Sequence, residues 1–351
     1  MSVLGGGVFE SDGETDDFAD LRQLVHDIGS RSFDERIGHR GLPDGFDATA
    51  WRHLEEAGLT RLSSNPESGG GPAESALVLR TLARHSVTVP LAETDVLAGW
   101  LGRAAGLPVP DTGPLTLALG VHGSPTVTGV PYAADCAAVV FALRDGDRLR
   151  VGMAEPAALT ITAGHNLGGE PRDTVAVPDI TTAGVDVAAE LCRRGAWSRC
   201  VQALGALDAA VEFSVAHTRE RAQFGRPLSG FQAVQHALAG MAGEVERARA
   251  ATELAVAAVT DHGFGSPQAD YAITVAKVVL GRVVPTVVTA AHQLHGAIGV
   301  TIEHRLWLAT MRARSWIDEF GDTARHARRL GRIALATDDG RDPWDLVVGA
   351  V

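Results

Sequence analysis

The chain has 351 residues, 45% hydrophobic and 21% charged, which suits a globular protein with well-buried cores and room for two or three domains. A formal net charge of −12 and the lack of any long basic run exclude a general nucleic-acid role. No stretch of eighteen or more apolar residues lacks a charge, so no membrane span is expected.

Residues 1–17 are acidic and Gly-rich, without the basic-then-apolar layout of a signal peptide. Cys136, Cys192 and Cys200 are odd in number and lack CxxC spacing, so free thiols in a reducing compartment are expected. These features predict a cytoplasmic protein. Short Arg clusters such as "RRLGR" (Arg328 to Arg332) read as solvated helix faces.

Residues 16–106 read as helical. Phe18, Leu21, Leu24 and Val25 are spaced for a helix that stops at Gly29, and Trp51, Leu54 and Leu59 mark a second. "SSNPESGGGPAE" is a loop by composition, and "SALVLRTLARHS" and "ETDVLAGWLGRAAGL" complete a helical unit. From Pro114 to Val185 the pattern changes to short Val-, Thr- and Leu-rich runs, "PLTLALGV", "TVTGV", "CAAVVFALR", "RLRVGMAE" and "ALTITAG", separated by turns. This predicts a small antiparallel β-domain.

Beyond Val187 helical spacing returns. One helix carries Trp197, Val201, Leu204, Val211 and Val215 on a stripe, and the next carries Phe231, Val234, Leu238, Met241 and Val245. A third is expected over 268–295, kinked at Pro285, and a fourth over 302–336, giving an up-down four-helix bundle. The run "AITVAKVVLGRVVPTVVTAA" is apolar almost all round, so burial against other chains in an obligate oligomer is expected. The predicted division is 1–113 helical, 114–186 β and 187–351 bundle; the fold class is mainly α with a small β-domain.

Two turns carry chemistry. "RAQFG" sets Arg221, Phe224 and Gly225 at a helix mouth, where a guanidinium suits phosphates and a ring suits stacking; a helix cap with a buried Phe is the plainer alternative. "HQLHGAIG" spaces His292 and His295 one helical turn apart, but no third ligand stands at useful spacing, so no metal site is expected. Gly296 and Gly299 allow close backbone approach, or simply stop the helix. P-loop, GxGxxG and GxSxG patterns are absent.

The order of helices, β-domain and bundle, taken with these motifs, resembles the acyl-CoA dehydrogenase family, flavoproteins that oxidise acyl-CoA thioesters to enoyl-CoA. "ALGALDAAVEFSVAHTRERAQFGRPLSGFQAVQHALAGM" resembles its first bundle helix with the R-x-Q-F-G turn. "HQLHGAIGVTIEHRLWLATMRAR" is similar to its Q-x-H-G-G-x-G stretch, and "WRHLEEAGLTRLSSNPESGGG" to its N-terminal motif. The resemblance implies FAD, with Arg221, Gln223, Phe224, Gln293, His295, Gly296 and Gly299 gathered around its pyrophosphate and adenosine at a subunit interface.

The family's proton-abstracting Glu occupies one of two positions, and these fall on Phe320 and near Gly195 in "CRRGAW". Neither is a carboxylate; the candidates left beside Phe320 are Asp318 and Glu319. The T-E-P-x-x-G-S-D flavin loop is also missing, and Ala297 replaces the second Gly of the usual pair. The chain therefore resembles the β-type subunits of actinobacterial heteromers (α2β2), in which a catalytic homologue supplies the base and some members act on steroid side-chain CoA esters. The implied partners are that homologue, acyl-CoA and electron-transfer flavoprotein as acceptor. The alternatives are a self-sufficient enzyme using Asp318 or Glu319, and a flavin-free scaffold.

Overall fold

A computed structural model describes residues 18–335 apart from 37–40, 43, 181 and 303. The acidic N-terminal stretch and the last sixteen residues, 336–351, lie outside the described residues. In chain order come α1 (Ala19–Arg36), α2 (Ala48–Glu56), α3 (Pro72–Arg84), a π-helical segment Ala92–Gly99 and α4 (Trp100–Ala104). Strands β1 (Leu115–Val121), β2 (Thr126–Pro131), β3 (Ala138–Asp145), β4 (Arg148–Ala154), β5 (Ile161–Thr162), β6 (Arg172–Ala176) and β7 (Ala183–Val185) follow. Then come α5 (Ala188–Glu220), a hairpin of β8 (Ala222–Gln223) and β9 (Arg226–Pro227), α6 (Gln232–His262), α7 (Pro267–His295), α8 (Arg305–Asp318) and α9 (Thr323–Leu335).

Gly29 does not end the first helix. α1 runs through it because its Cα faces the His85 ring, which a Cβ would meet at 2.6 Å. The π-helical turn also depends on a glycine, since a Cβ on Gly99 would sit 2.4 Å from the Thr94 carbonyl oxygen. That segment is pinned by Asp95, whose carboxylate accepts from the Ser63 and Ser64 amides and the Ser75 hydroxyl.

The β region is two-layered, with sheet orders β1-β3-β4-β7 and β2-β6-β5. It is not wholly antiparallel: β1 and β3 run parallel, Leu115 opposite Ala138. The cause is topological. β2 crosses to the second sheet to pair with β6, so the chain returns to β1's side in β1's direction.

α5, α6, α7 and α8 make the bundle, and one hydrophobic core runs from it into α1–α3. The predicted fourth helix is two, broken at Glu319–Asp322 between α8 and α9, with Phe320 at φ +56° and Gly321 at φ +105°. The apolar run in α7 is covered on one side within the chain. Val283, Val284, Val287 and Val288 are buried in a helix packed against α5, α6, α8 and α9, while Arg282, Pro285, Thr286, Thr289 and Gln293 face outward. α5, α6, α8 and α9 thus bury one side of this helix within the chain, and the expected burial against other chains concerns its outward row alone. By length and composition α7 could cross a membrane, yet here it is the inner helix of the bundle. All three cysteines are free.

Candidate functional site

The two positions at which the resemblance places a base meet in space. α5 brings Gly195 under the ring of Phe320, close enough that a Cβ on Gly195 would lie 2.3 Å from the ring's Cδ1. Phe320 is held in its left-handed conformation by its surroundings. The Lys277 ammonium donates to the carbonyls of Ile317 (2.6 Å) and Glu319 (2.8 Å), and His326 Nε2 lies 3.2 Å from the Phe320 carbonyl oxygen. A non-glycine residue at positive φ carries strain of about 1–3 kcal/mol, and several contacts fix this one.

Beside that ring opens a cavity of about 310 Å³ between the π-helical segment, β1, β2 and the end of α8. Its walls are apolar, with Leu97, Leu117, Leu119, Pro131 and Phe320, and its floor is charged. There Glu319 accepts from Arg172 (Nε 3.1 Å, NH2 2.9 Å) through one oxygen and from Arg199 Nε (2.6 Å) through the other. Arg199 is 2% exposed; it also donates to Glu93 at 2.5 Å and to Gln202 at 2.6 Å. Burial alone would raise the Glu319 carboxyl, but the two guanidinium charges outweigh it and hold it at about 2.

A carboxylate in this state keeps its charge but is a weak base, since its lone pairs are committed to two cations. Asp318 is exposed at the last turn of α8 and does not line the cavity. Sequence reasoning missed Glu93, Arg172 and Arg199. Their available signal was a charged residue set among apolar neighbours, as in "AWSRCVQALGAL" and "VPLAETDVLAGW".

The second group of residues lies at the far ends of α5 and α7. Arg221 caps α5 with its amide on the His217 carbonyl, and the β8–β9 hairpin turns through Phe224 (φ +53°) and Gly225 (φ +81°), the backbone of a type I′ turn. Phe224 is 90% exposed, so it is not a buried staple. Its ring is exposed on a left-handed backbone and stands edge-on to the Phe231 ring, centroids 6.3 Å apart. Arg221 and Gln223 are exposed beside it.

α7 ends at His295. Gly296 adopts φ +64°, ψ −145°, a region open to glycine almost alone, and Gly299 folds back so closely that a Cβ would meet the His295 Cβ at 2.7 Å. Gln293 and Gly296 are exposed; His295 and Gly299 are buried. The two turns are neighbours within one chain, because His217 on the last turn of α5 stacks on His295, ring centroids 4.4 Å apart. Among the described residues no group of His, Cys, Asp or Glu could hold a metal ion.

Taken together, these features define a class: an α-helical protein with a small two-layer β unit between its helical parts and a cavity at their junction. Residues 182–334 match the family model for the acyl-CoA dehydrogenase C-terminal domain. Acyl-CoA dehydrogenase IpdE2 of Mycobacterium tuberculosis is 32% identical over 282 residues, covering 77% of this chain and 81% of that protein. The solved ChsE4-ChsE5 complex from Mycobacterium tuberculosis shares the fold with TM-score 0.77 at 24% identity, covering 94% of this chain and 100% of that one. A Tcur3481-Tcur3483 steroid ACAD variant does so with TM-score 0.79 at 24% identity, covering 92% and 99%. The chain belongs to the acyl-CoA dehydrogenase family, oxidoreductases of acyl-CoA that are generally FAD-dependent.

Proposed function

We propose that this chain is the partner subunit of a heteromeric acyl-CoA dehydrogenase, completing the FAD site of a catalytic homologue that supplies the base. The observation that carries this reading is the Gly195–Phe320 contact: both positions for a base are filled by a ring on a glycine, and the nearest carboxylate is neutralised by Arg172 and Arg199. An acyl-CoA α-proton is weakly acidic, and a positioned base alone is worth about 10²–10⁴-fold. The cavity of this chain has apolar walls and no free base.

The residues at the ends of α5 and α7 fit the nucleotide tail of FAD. Arg221 offers a guanidinium to the pyrophosphate, Phe224 a bare ring to the adenine side, and Gln293, His295 and the Gly296–Gly299 backbone a close-approach surface, with Gln223 alongside. Because both turns sit side by side on one chain, they are read as a single surface presented to a cofactor whose ring lies in the partner. Bound FAD would accept the hydride from the acyl chain; this chain's part is to bind and orient its tail. The steroid ACAD among the structural neighbours supports CoA esters of steroid side chains as substrates. Electron-transfer flavoprotein is the proposed acceptor and the cytoplasm the proposed location.

Expressed alone, the chain should hold little flavin and fail to reduce an artificial acceptor with any acyl-CoA. Co-expressed with an adjacently encoded acyl-CoA dehydrogenase homologue, it should give one species of two plus two chains by light scattering, with flavin. Robust turnover by the homogeneous chain would overturn the proposal and favour a self-sufficient enzyme, for which Glu319 is the residue in the cavity. A monodisperse, flavin-free monomer that ignores the homologue would favour a scaffold. Within the assembled complex, Arg221→Ala should weaken FAD binding by roughly 1.5–3 kcal/mol, the worth of a hydrogen bond to a charged group. Flavin content measured by absorbance checks this; unchanged content with a slightly lower melting temperature would make Arg221 a helix cap.

A further inference from the structure

Three histidines from three helix ends meet behind the proposed nucleotide surface. His217 closes α5, His295 closes α7 and His304 caps the start of α8. His217 and His295 stack at 4.4 Å with 20° between planes, and His304 stands edge-on to both, at 5.0 Å from His295 and 6.4 Å from His217. His295 is 6% exposed. Its Nδ1–H donates to the Ala291 carbonyl at 2.8 Å, leaving Nε2 as the unprotonated nitrogen, buried and without a hydrogen-bond partner among the described residues. His304 Nδ1 accepts from the Leu306 amide and is likewise committed as an acceptor.

We infer that the His217–His295–His304 stack is a protonation-sensitive latch, which joins the Arg221 hairpin to the Gln293–Gly299 turn while the rings are neutral and releases them in acid. A second proton on His295 would create a buried N–H with no acceptor, facing another imidazole at stacking distance. The surrounding charges do not offset it. His292 lies one turn back on α7 with Arg314 of α8 acting on it, and Arg221 and Glu220 on α5 flank His217 with opposite signs. Burial first, then the neighbouring histidines, place His295 at about 4 despite the Ala291 carbonyl; His217 is lowered by burial and by Arg221.

The sign is fixed by these shifts. Above the ordinary histidine value of 6.5 these rings are neutral in both the folded and the unfolded chain, and the latch is fully held. As pH falls from 6.5 towards 4 the unfolded or unlatched chain takes up protons that the latched one refuses, costing about tenfold in the equilibrium per pH unit for each such ring. The consequence for flavin rests on the proposed function; the latch itself does not.

The test compares wild type with His217→Phe, which keeps a stacking ring but cannot titrate, and His217→Ala, which removes it. Thermal midpoints of the chain, together with flavin retained by the assembled complex after gel filtration, are measured at pH 7.5 and 5.5. The wild type should lose midpoint on acidification, and flavin affinity should drop by about tenfold or more. His217→Phe should match wild type at pH 7.5 and lose clearly less at pH 5.5, whereas His217→Ala should be lower at both. Parallel falls of wild type and His217→Phe would overturn the latch. A divergence in midpoints with no flavin bound at either pH would leave the latch standing and remove the flavin reading instead.

Discussion

Replacing Glu319 by Gln should destabilise the protein by about 3 kcal/mol while doing nothing specific to catalysis. Removing one member of a buried ion pair costs about 3–5 kcal/mol, because the remaining charge keeps its desolvation penalty without its partner. Two cations each lose a partner here, Arg199 keeping Glu93 and Arg172 keeping Glu170 at 3.4 Å. Arg199 is 2% exposed and Arg172 9%, and both rely on the Glu319 oxygens; the Glu319 side chain itself is 26% exposed, which favours the lower end of that range. Arg199 would keep Glu93, so the network would loosen rather than vanish.

The pH dependence adds a signature. With its folded value at about 2 against the ordinary 4.5, Glu319 stabilises the fold above 4.5, and that contribution is lost as pH falls from 4.5 towards 2. The buried histidines act in the same direction but in a higher window, from 6.5 down towards 4, so acid unfolding of the wild type should have two components. Glu319→Gln should abolish only the lower one. Urea titrations at pH 7 and 3.5 would measure both. Loss of turnover in the assembled enzyme with no loss of stability would instead assign Glu319 to the chemistry.

Much of this architecture was legible in the sequence where one period dominates. Stripes such as Trp197, Val201 and Leu204 fold as read, all buried in the common core. The turns at Arg221 and Gly296 were legible because Gly225 and Gly296 stood at backbone-critical positions, and both adopt the positive φ that glycine accommodates. What could not be read depends on contacts between distant segments. Gly29 looks like a helix stop until His85 is seen packed on it. The parallel pairing of β1 with β3 depends on β2 choosing the other sheet. The ion network joins residues 93, 172, 199 and 319 from four separate stretches of sequence, and only the packed β unit and bundle bring them together.

The contact between Gly195 and Phe320 has the same origin, and it makes the second large prediction. In an isolated helix Gly→Ala is favourable by about 1 kcal/mol, so Gly195, well inside α5, looks like a site to stabilise. The Phe320 ring reverses the sign. Its Cδ1, Cε1 and Cγ would lie 2.3–2.4 Å from the new methyl carbon, and the ring cannot swing aside easily because Lys277, Arg172, Arg199 and His326 fix its backbone and its neighbour. Gly195→Ala in the wild type should therefore cost about 1–3 kcal/mol by overpacking. On a Phe320→Gly background, where the positive φ is natural and the ring is gone, the same change should be neutral or stabilise by up to about 1 kcal/mol. The two sites should thus be coupled by roughly 2–3 kcal/mol, far above the few tenths expected of independent positions. Four urea-unfolding curves close the cycle. Additive effects would mean that the ring is free to leave, and would remove the packing argument that Phe320 and Gly195 jointly exclude a base from this chain.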